Sequence, residues 1–396
     1  MSTTTVTPSV FRAVLTPAAL TKLALGWGSV LALVLGGKLL DGDLPTPVLF
    51  TILGLIVAVI LVAASGVVTE AEHLAEKLGD PYGTLVLTLS IVLIEVILIS
   101  AVMLGPGEHA TIARDSVMAV SMIILNLVIG VSLLVGGLRH SNLRPNRSGV
   151  SAYLSLLVVL VTVAFALPAI IGVNGSYTAG QEIPIIGLTV MLYAFFLVRQ
   201  MGAQRADFQE VVLVEHAETI SAEGVGAART DNAGAQSKLA GALAKHRPEL
   251  VARAILLVMM VVPIVLLSHD MASLLDEGLD RLGAPVALSG ILIAMIVFLP
   301  ETITAIRAAL AGEIQRVSNL CHGALVSTVG LTIPAVLTIG LLTGQTVTLG
   351  EGPTNLVLLA VSLLLTMTTF FGKRVTALHG AAHLFVFVLY GLTVFQ

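Results

Sequence analysis

The sequence predicts an all-α polytopic membrane protein of about 11 transmembrane helices, two inverted five-helix repeats plus one N-terminal helix. Three observations carry this. Of 396 residues, 56% are hydrophobic and only 11% charged, against about 25% charged in a soluble domain. The chain holds eleven separate stretches near the ~20 apolar residues that a spanning helix needs. A short Leu-Gly-x-Pro element occurs twice, five spans apart. In water, 20 basic and 24 acidic side chains could not cover so much apolar surface. A net charge of −4 is not the basic balance of a nucleic-acid binder. The single cysteine, Cys321, excludes an internal disulfide and a cysteine-built zinc site. The N-terminus lacks a cationic region before a short apolar stretch, so no cleaved signal peptide is expected.

The first span, 18–40, stands outside the repeat, with residues 1–45 forming the N-terminal segment. The second, 46–68, runs into Glu70, Glu72, His73 and Glu76, read as a solvated acidic helix end in preference to a collector of cations. The third, 82–104, follows Leu78-Gly79-Asp80-Pro81 and carries Glu95; the fourth, 115–137, carries Asn126. The fifth and sixth are 150–171 and 181–201. Residues 202–249, rich in Ala, Gly, Gln and scattered Glu, read as a flexible, partly helical polar linker. The seventh span is 250–268. The eighth, 285–307, opens with Leu282-Gly283-Ala284-Pro285 and carries Glu301. The ninth, 316–342, holds Ser327, Thr328 and Pro334; the tenth and eleventh are 353–371 and 378–395.

Lysines and arginines fix the expected orientation. Seventeen lie on the side of the N-terminus and the 202–249 linker, and three (Lys38, Arg114 and Arg281) on the other, which accounts for all 20. The N-terminus is therefore expected in the cytoplasm and the C-terminus outside, in a multi-pass cell (inner or plasma) membrane protein. Five is an odd number of spans, so the two Leu-Gly-x-Pro copies enter the membrane from opposite sides. That is an inverted-topology repeat, the mark of secondary transporters. Its halves are 46–201 and 250–396.

Of the 24 acids, Glu95 and Glu301 alone lie well inside spans, at matching places in the two halves. A charge near the bilayer centre costs at least ~2.5–3.5 kcal/mol, so both need a reason. Facing each other across the repeat axis at ~6 Å, in an effective dielectric of ~20, they would repel by roughly 3 kcal/mol. Such a pair is expected to hold one or two protons as a coupled unit. A divalent cation would cancel both charges and displace the protons. Further oxygens are available. Pro300 and Pro334 lack an N–H and so free the carbonyls of Ile296 and Gly330. Thr88 lies seven residues before Glu95 and Thr304 three after Glu301; Asn126 and Ser327 sit in the following spans. His379 and His383, at i,i+4, read as packing or interfacial because no third metal ligand accompanies them. His322 is a lesser candidate for a proton path. Gly136-Gly137 matches no phosphate loop.

Leu78-Gly79-Asp80-Pro81-Tyr82-Gly83 through Glu95, Leu299-Pro300-Glu301 and Gly380-Ala381-Ala382-His383-Leu384 resemble bacterial calcium/proton antiporters of the ChaA type, in the calcium/cation antiporter superfamily. The resemblance covers the chain from about residue 46. It implies a ten-helix core of two inverted repeats and exchange of Ca2+ for H+, with Na+ or K+ moved by some relatives. It assigns the paired acids to Glu95 and Glu301, and the polar position of the next helix to Asn126 and Ser327. Many superfamily members carry Asn three residues before each glutamate, where this chain has Val92 and Phe298.

The expected activity is Ca2+/H+ antiport, because one calcium or two protons neutralise two carboxylates equally. Na+ or K+ exchange for H+ is the alternative. No filter repeated by symmetry points to a channel, and no His-Glu-x-x-His or recognisable Ser/His arrangement points to an intramembrane enzyme. No cofactor is expected. The expected partners are Ca2+ and H+ as substrates and the lipid bilayer, with no nucleic acid; a homo-oligomer stays open.

Overall fold

The computed structural model describes residues 14–40, 44–78, 89, 92, 95–96, 99–100, 103, 110–210, 231–285 and 287–395. The described residues are almost entirely helical and contain no strand, only three isolated bridges. Among the described residues, nine helices are long and apolar enough to cross a membrane, or ten if one bent pair is a single span. These ten match ten of the eleven expected stretches. The third, 82–104, lies outside the described residues except for Leu89, Val92, Glu95, Val96, Ile99, Ser100 and Met103, all helical. The chain divides into two compact units, Met1–Leu87 with Ala217–Leu274 and Thr88–His216 with Leu275–Gln396.

The first unit holds α1 (Pro17–Leu40), α2 (Thr46–Leu78) and most of α6 (Asp231–Arg281). Thr16 starts α1 by accepting from the Ala19 amide at 3.1 Å, with Pro17 at the first helical position. Gly66 admits the stem of Lys22 against α2, and the Trp27 indole donates to the Met259 carbonyl at 3.0 Å. At the polar end, buried Arg253 donates to buried Glu70 at 2.6 Å and to Glu249 at 3.2 Å, while Lys77 donates to Glu249 at 2.8 Å. Glu70 is thus neither a solvated helix end nor a collector of cations. It is the carboxylate that holds α6 against α2.

The second unit holds α3 (Ile112–Arg139), α4 (Arg147–Ile171), α5 (Ala179–Met201), α7 (Ala287–Val297), α8 (Leu299–Ala311), α9 (Ile314–Thr343), α10 (Pro353–Phe371) and α11 (Ala377–Val394). Asn146 caps α4, and Thr178 with Gln181 forms a capping box on α5. Left-handed Gly312 and Gly344 close α8 and α9. Helices α3 and α9, the fourth and ninth spans, are buried along most of their length. The outer helices expose apolar faces, among them Leu188 and Phe195 of α5, Leu364 of α10 and Phe385 of α11. Such surfaces suit lipid.

The expected flexible linker is not loose at its start. Phe208, in a 3-10 turn, is buried against the rings of Tyr153 and Phe196. Glu210 accepts from the amides of Gln315 and Arg316 at 3.0 and 3.2 Å, at the N-terminus of α9, where a carboxylate meets the positive end of the helix. Burial nevertheless pushes the Glu210 carboxyl upward. Residues 231–249 belong to α6, which runs 51 residues into the seventh span.

Candidate functional site: two buried carboxyl groups around the central helices

Glu95 shares one helix face with Val92, Ile99 and Met103, at spacings of three and four, and all four are buried. The position that commonly carries Asn in relatives, Val92, therefore packs against protein and brings no oxygen. Thr328 of α9 donates its hydroxyl to Glu95 Oε2 at 2.5 Å. Glu95 Oε1 is buried without a partner among the described residues.

Glu301 lies in the first turn of α8. The axis bends by 55° between Gly290–Ile296 and Glu301–Ala311. The cause is local: Pro300 cannot donate to the Ile296 carbonyl, and Phe298 caps the new helix. Its carbonyl accepts the Thr302 amide at 3.0 Å and hydroxyl at 2.8 Å. Broken helices of this kind line ion sites in transporters. Glu301 Oε2 is buried and unpartnered among the described residues. Both acids belong to elements that meet α9: Thr328 bonds Glu95, and α8, which opens at Leu299 and carries Glu301, packs against α9.

Asn126 is fully buried in a π-helical turn, Ile123–Val128, inside α3. Such turns recur at functional sites. Its amide nitrogen donates to Ser362 Oγ of α10 at 2.7 Å, and Oδ1 has no partner among the described residues. Ser327 accepts from the Tyr193 hydroxyl at 2.9 Å. Gly330 lets that ring approach, because a Cβ there would stand 3.0 Å from it. Pro334 lies inside α9 and leaves the Gly330 carbonyl without its helical donor. Thr304, one turn after Glu301, is half-buried. Thr88 lies outside the described residues.

The structure therefore joins Glu95 to Thr328 by a hydrogen bond, while Asn126 and Ser327 each have a partner on a neighbouring helix. Sequence reasoning gave no place to Ser362 or Tyr193. One signal was present: Ser362, Thr366 and Thr369 fall on one face of α10 and are all fully buried. The histidines do not converge on a metal. His379 caps α11 with Thr376, His383 meets Thr369 at 3.3 Å, and His322 meets Ser318 at 2.8 Å. No group of three or more His, Cys, Asp or Glu able to hold a metal occurs among the described residues. A cation held by Glu95 and Glu301 must complete its shell with hydroxyl, amide and carbonyl oxygens and water.

A family model described as sodium/calcium exchanger protein matches residues 48–202 and 253–396. The sodium-potassium/proton antiporter ChaA of Escherichia coli (strain K12) is 32% identical over 356 residues, 89% of this chain and 90% of that protein. Among solved structures, native YfkE superposes with a TM-score of 0.62 at 16% identity, over 94% of this chain and 99% of that one. The H+/Ca2+ exchanger CAX gives a TM-score of 0.62 at 14% identity, over 95% of this chain and 89% of that one. The two structures share the fold. The chain belongs to the sodium/calcium exchanger protein family, as a ChaA-type member of the calcium/cation antiporters.

Proposed function

We propose that this cation exchanger trades Ca2+ for H+ at a site built on Glu95 and Glu301. The observation that carries the reading is the two in-span acids on helices that meet α9, buried Glu95 and half-buried Glu301, each with a buried oxygen that lacks a partner among the described residues. Two buried carboxylates without a counter-ion are costly. Two protons or one calcium remove that cost equally, so the site suits one load or the other. Thr328, Asn126, Ser327, Thr304, Thr88 and the carbonyls of Ile296 and Gly330 are the candidates for the remaining oxygens. By the asymmetry of Lys and Arg, the N-terminus lies in the cytoplasm and the C-terminus outside.

A second reading is Na+ or K+ exchange for H+. It is favoured by the name of the Escherichia coli relative, a sodium-potassium/proton antiporter, and it would require one proton to stay aboard with each monovalent ion. The deciding experiment adds Ca2+, Na+ or K+ separately to proteoliposomes and follows proton release. Calcium should release protons, with affinity falling as pH is lowered from about 8.5 to 6, because protons and calcium compete for the carboxylates. Release by Na+ or K+ alone would select the second reading, and a flat pH profile would separate the proton site from the calcium site.

A further inference from the structure

Asn126 offers an oxygen to a cation only if its amide points the right way, since the nitrogen end would repel one. Its surroundings fix that choice. Ser362 Oγ stands 2.7 Å from Asn126 Nδ2 and also 2.7 Å from the Leu358 carbonyl, one turn back on its own helix. A carbonyl can only accept, so the single hydroxyl proton of Ser362 goes to Leu358. Ser362 Oγ is then left as an acceptor, which demands the nitrogen end of Asn126. The Met122 sulfur, 3.7 Å from Asn126 Nδ2, is a weak acceptor on the same side. Flipping the amide would turn Oδ1 onto Ser362, which could answer it only by giving up Leu358, and would lose one hydrogen bond. Asn126 and Ser362 are fully buried, so water cannot make up that loss.

We infer that Ser362 is a positioning residue for cation binding, locking the Asn126 amide so that Oδ1, otherwise unpartnered among the described residues, is presented as a ligand. This rests on the proposed role of Asn126 in the cation site. Ser362 itself touches no ion. It belongs to α10, a helix that carries none of the residues the sequence put forward for the site.

The test compares Asn126→Ala, Ser362→Ala, Ser362→Cys, Ser362→Thr and the Asn126→Ala/Ser362→Ala double variant in proteoliposomes. The readouts are half-saturating Ca2+ and maximal proton release, with the monodisperse fraction in detergent as the check on folding. Ser362→Ala should raise half-saturating Ca2+ about fivefold, the worth of one neutral hydrogen bond, while maximal release is kept. Ser362→Cys keeps the volume but accepts poorly, so it should match Ala and stands in if the Ala variant does not fold. Ser362→Thr should restore the parent value. In the double variant, Ser362→Ala should add nothing, because the amide it positions is gone. A shifted Asn126→Ala with Ser362→Ala and Ser362→Cys like the parent would overturn the inference alone, as would full additivity in the double variant. An unshifted Asn126→Ala would overturn the role of Asn126 and this inference with it.

Discussion

At the scale of single residues, the two intramembrane acids do different things to their surroundings. Glu95 keeps one oxygen on the Thr328 hydroxyl and one without a described partner; Glu301 sits at the start of a helix created by a proline break. Glu95→Gln and Glu301→Gln should each abolish coupled exchange in proteoliposomes while leaving the protein folded and inserted, because the amide cannot cycle between charged and protonated states. Substantial flux from either variant would remove that acid from the site. Thr328→Val should raise half-saturating Ca2+ about tenfold or more, the scale of a hydrogen bond to a charged group. The acids were legible in the sequence because a charge in an apolar span is costly and therefore rare. Thr328 was only one hydroxyl among several, and Ser362 showed only through the stripe it shares with Thr366 and Thr369, since serine and threonine hydroxyls in spans ordinarily bond their own helix. Outside the spans, Glu351 is buried between α9 and α10. It accepts from the Gly352 amide at 3.1 Å and the Asn355 amide group at 2.9 Å, with Arg114 at 3.9 Å. Burial outweighs these contacts and pushes its carboxyl upward. A folded-state pKa above the unfolded one means that the folded state holds the proton more tightly, so stability falls as pH rises through that window. Glu351→Gln escapes this cost. Its thermal midpoint in detergent, relative to the parent, should therefore grow from pH ~5 to pH ~8; a difference that stays constant or shrinks would show that Arg114 already compensates the charge.

At the scale of elements, the packing of α3 on α11 explains why part of the Gly380-Ala381-Ala382-His383-Leu384 motif has its composition. A Cβ on Gly380 would stand 2.4 Å from the Leu134 amide nitrogen and 2.6 Å from the Gly130 carbonyl. One on Gly137 would stand 2.3 Å from the Ala377 nitrogen. The two backbones touch, as small residues allow between membrane helices. Gly380→Val should lower stability by about 1–3 kcal/mol or prevent folding, as overpacking does. Gly391→Ala, on the same helix with open space around it, should be neutral. Equal behaviour of the two in a detergent melt would refute the close approach. The spans themselves were legible because about 20 apolar residues can hardly do anything else. The π-helical turns at Ile123–Val128 and Thr162–Ala166 were not, since they depend on what the neighbouring helices offer. The break at Pro300 was half legible: the proline announced a freed carbonyl, while nothing in the residues announced a bend of 55°.

At the scale of the whole molecule, the family model matches two segments, 48–202 and 253–396, that flank a long polar interruption. Composition alone made that interruption a linker from 202 to 249, because Ala, Gly and polar residues give no signal for docking. Two side chains show where composition misled: Phe208 is buried among aromatic rings, and Glu210 binds the first amides of α9. These contacts lie within the second unit and hold the start of α9, the helix that carries Thr328, Ser327 and Cys321. The interruption should therefore behave as two segments under mutation. Removing a stretch between residues 212 and 228 while keeping the chain continuous should preserve exchange, since that stretch is rich in Ala, Gly and Glu and lies outside the matched segments. Phe208→Ala, which empties a buried aromatic site, should cost about 3–5 kcal/mol of stability. Glu210→Ala should loosen the N-terminus of α9 by about 1 kcal/mol or more through its lost amide bonds. Both are read as falls in the thermal midpoint and in calcium-driven proton release. Complete loss of exchange in the shortened chain, with all spans still inserted, would make residues 212–228 part of the mechanism. Full stability in Phe208→Ala would return residues 202–210 to the linker.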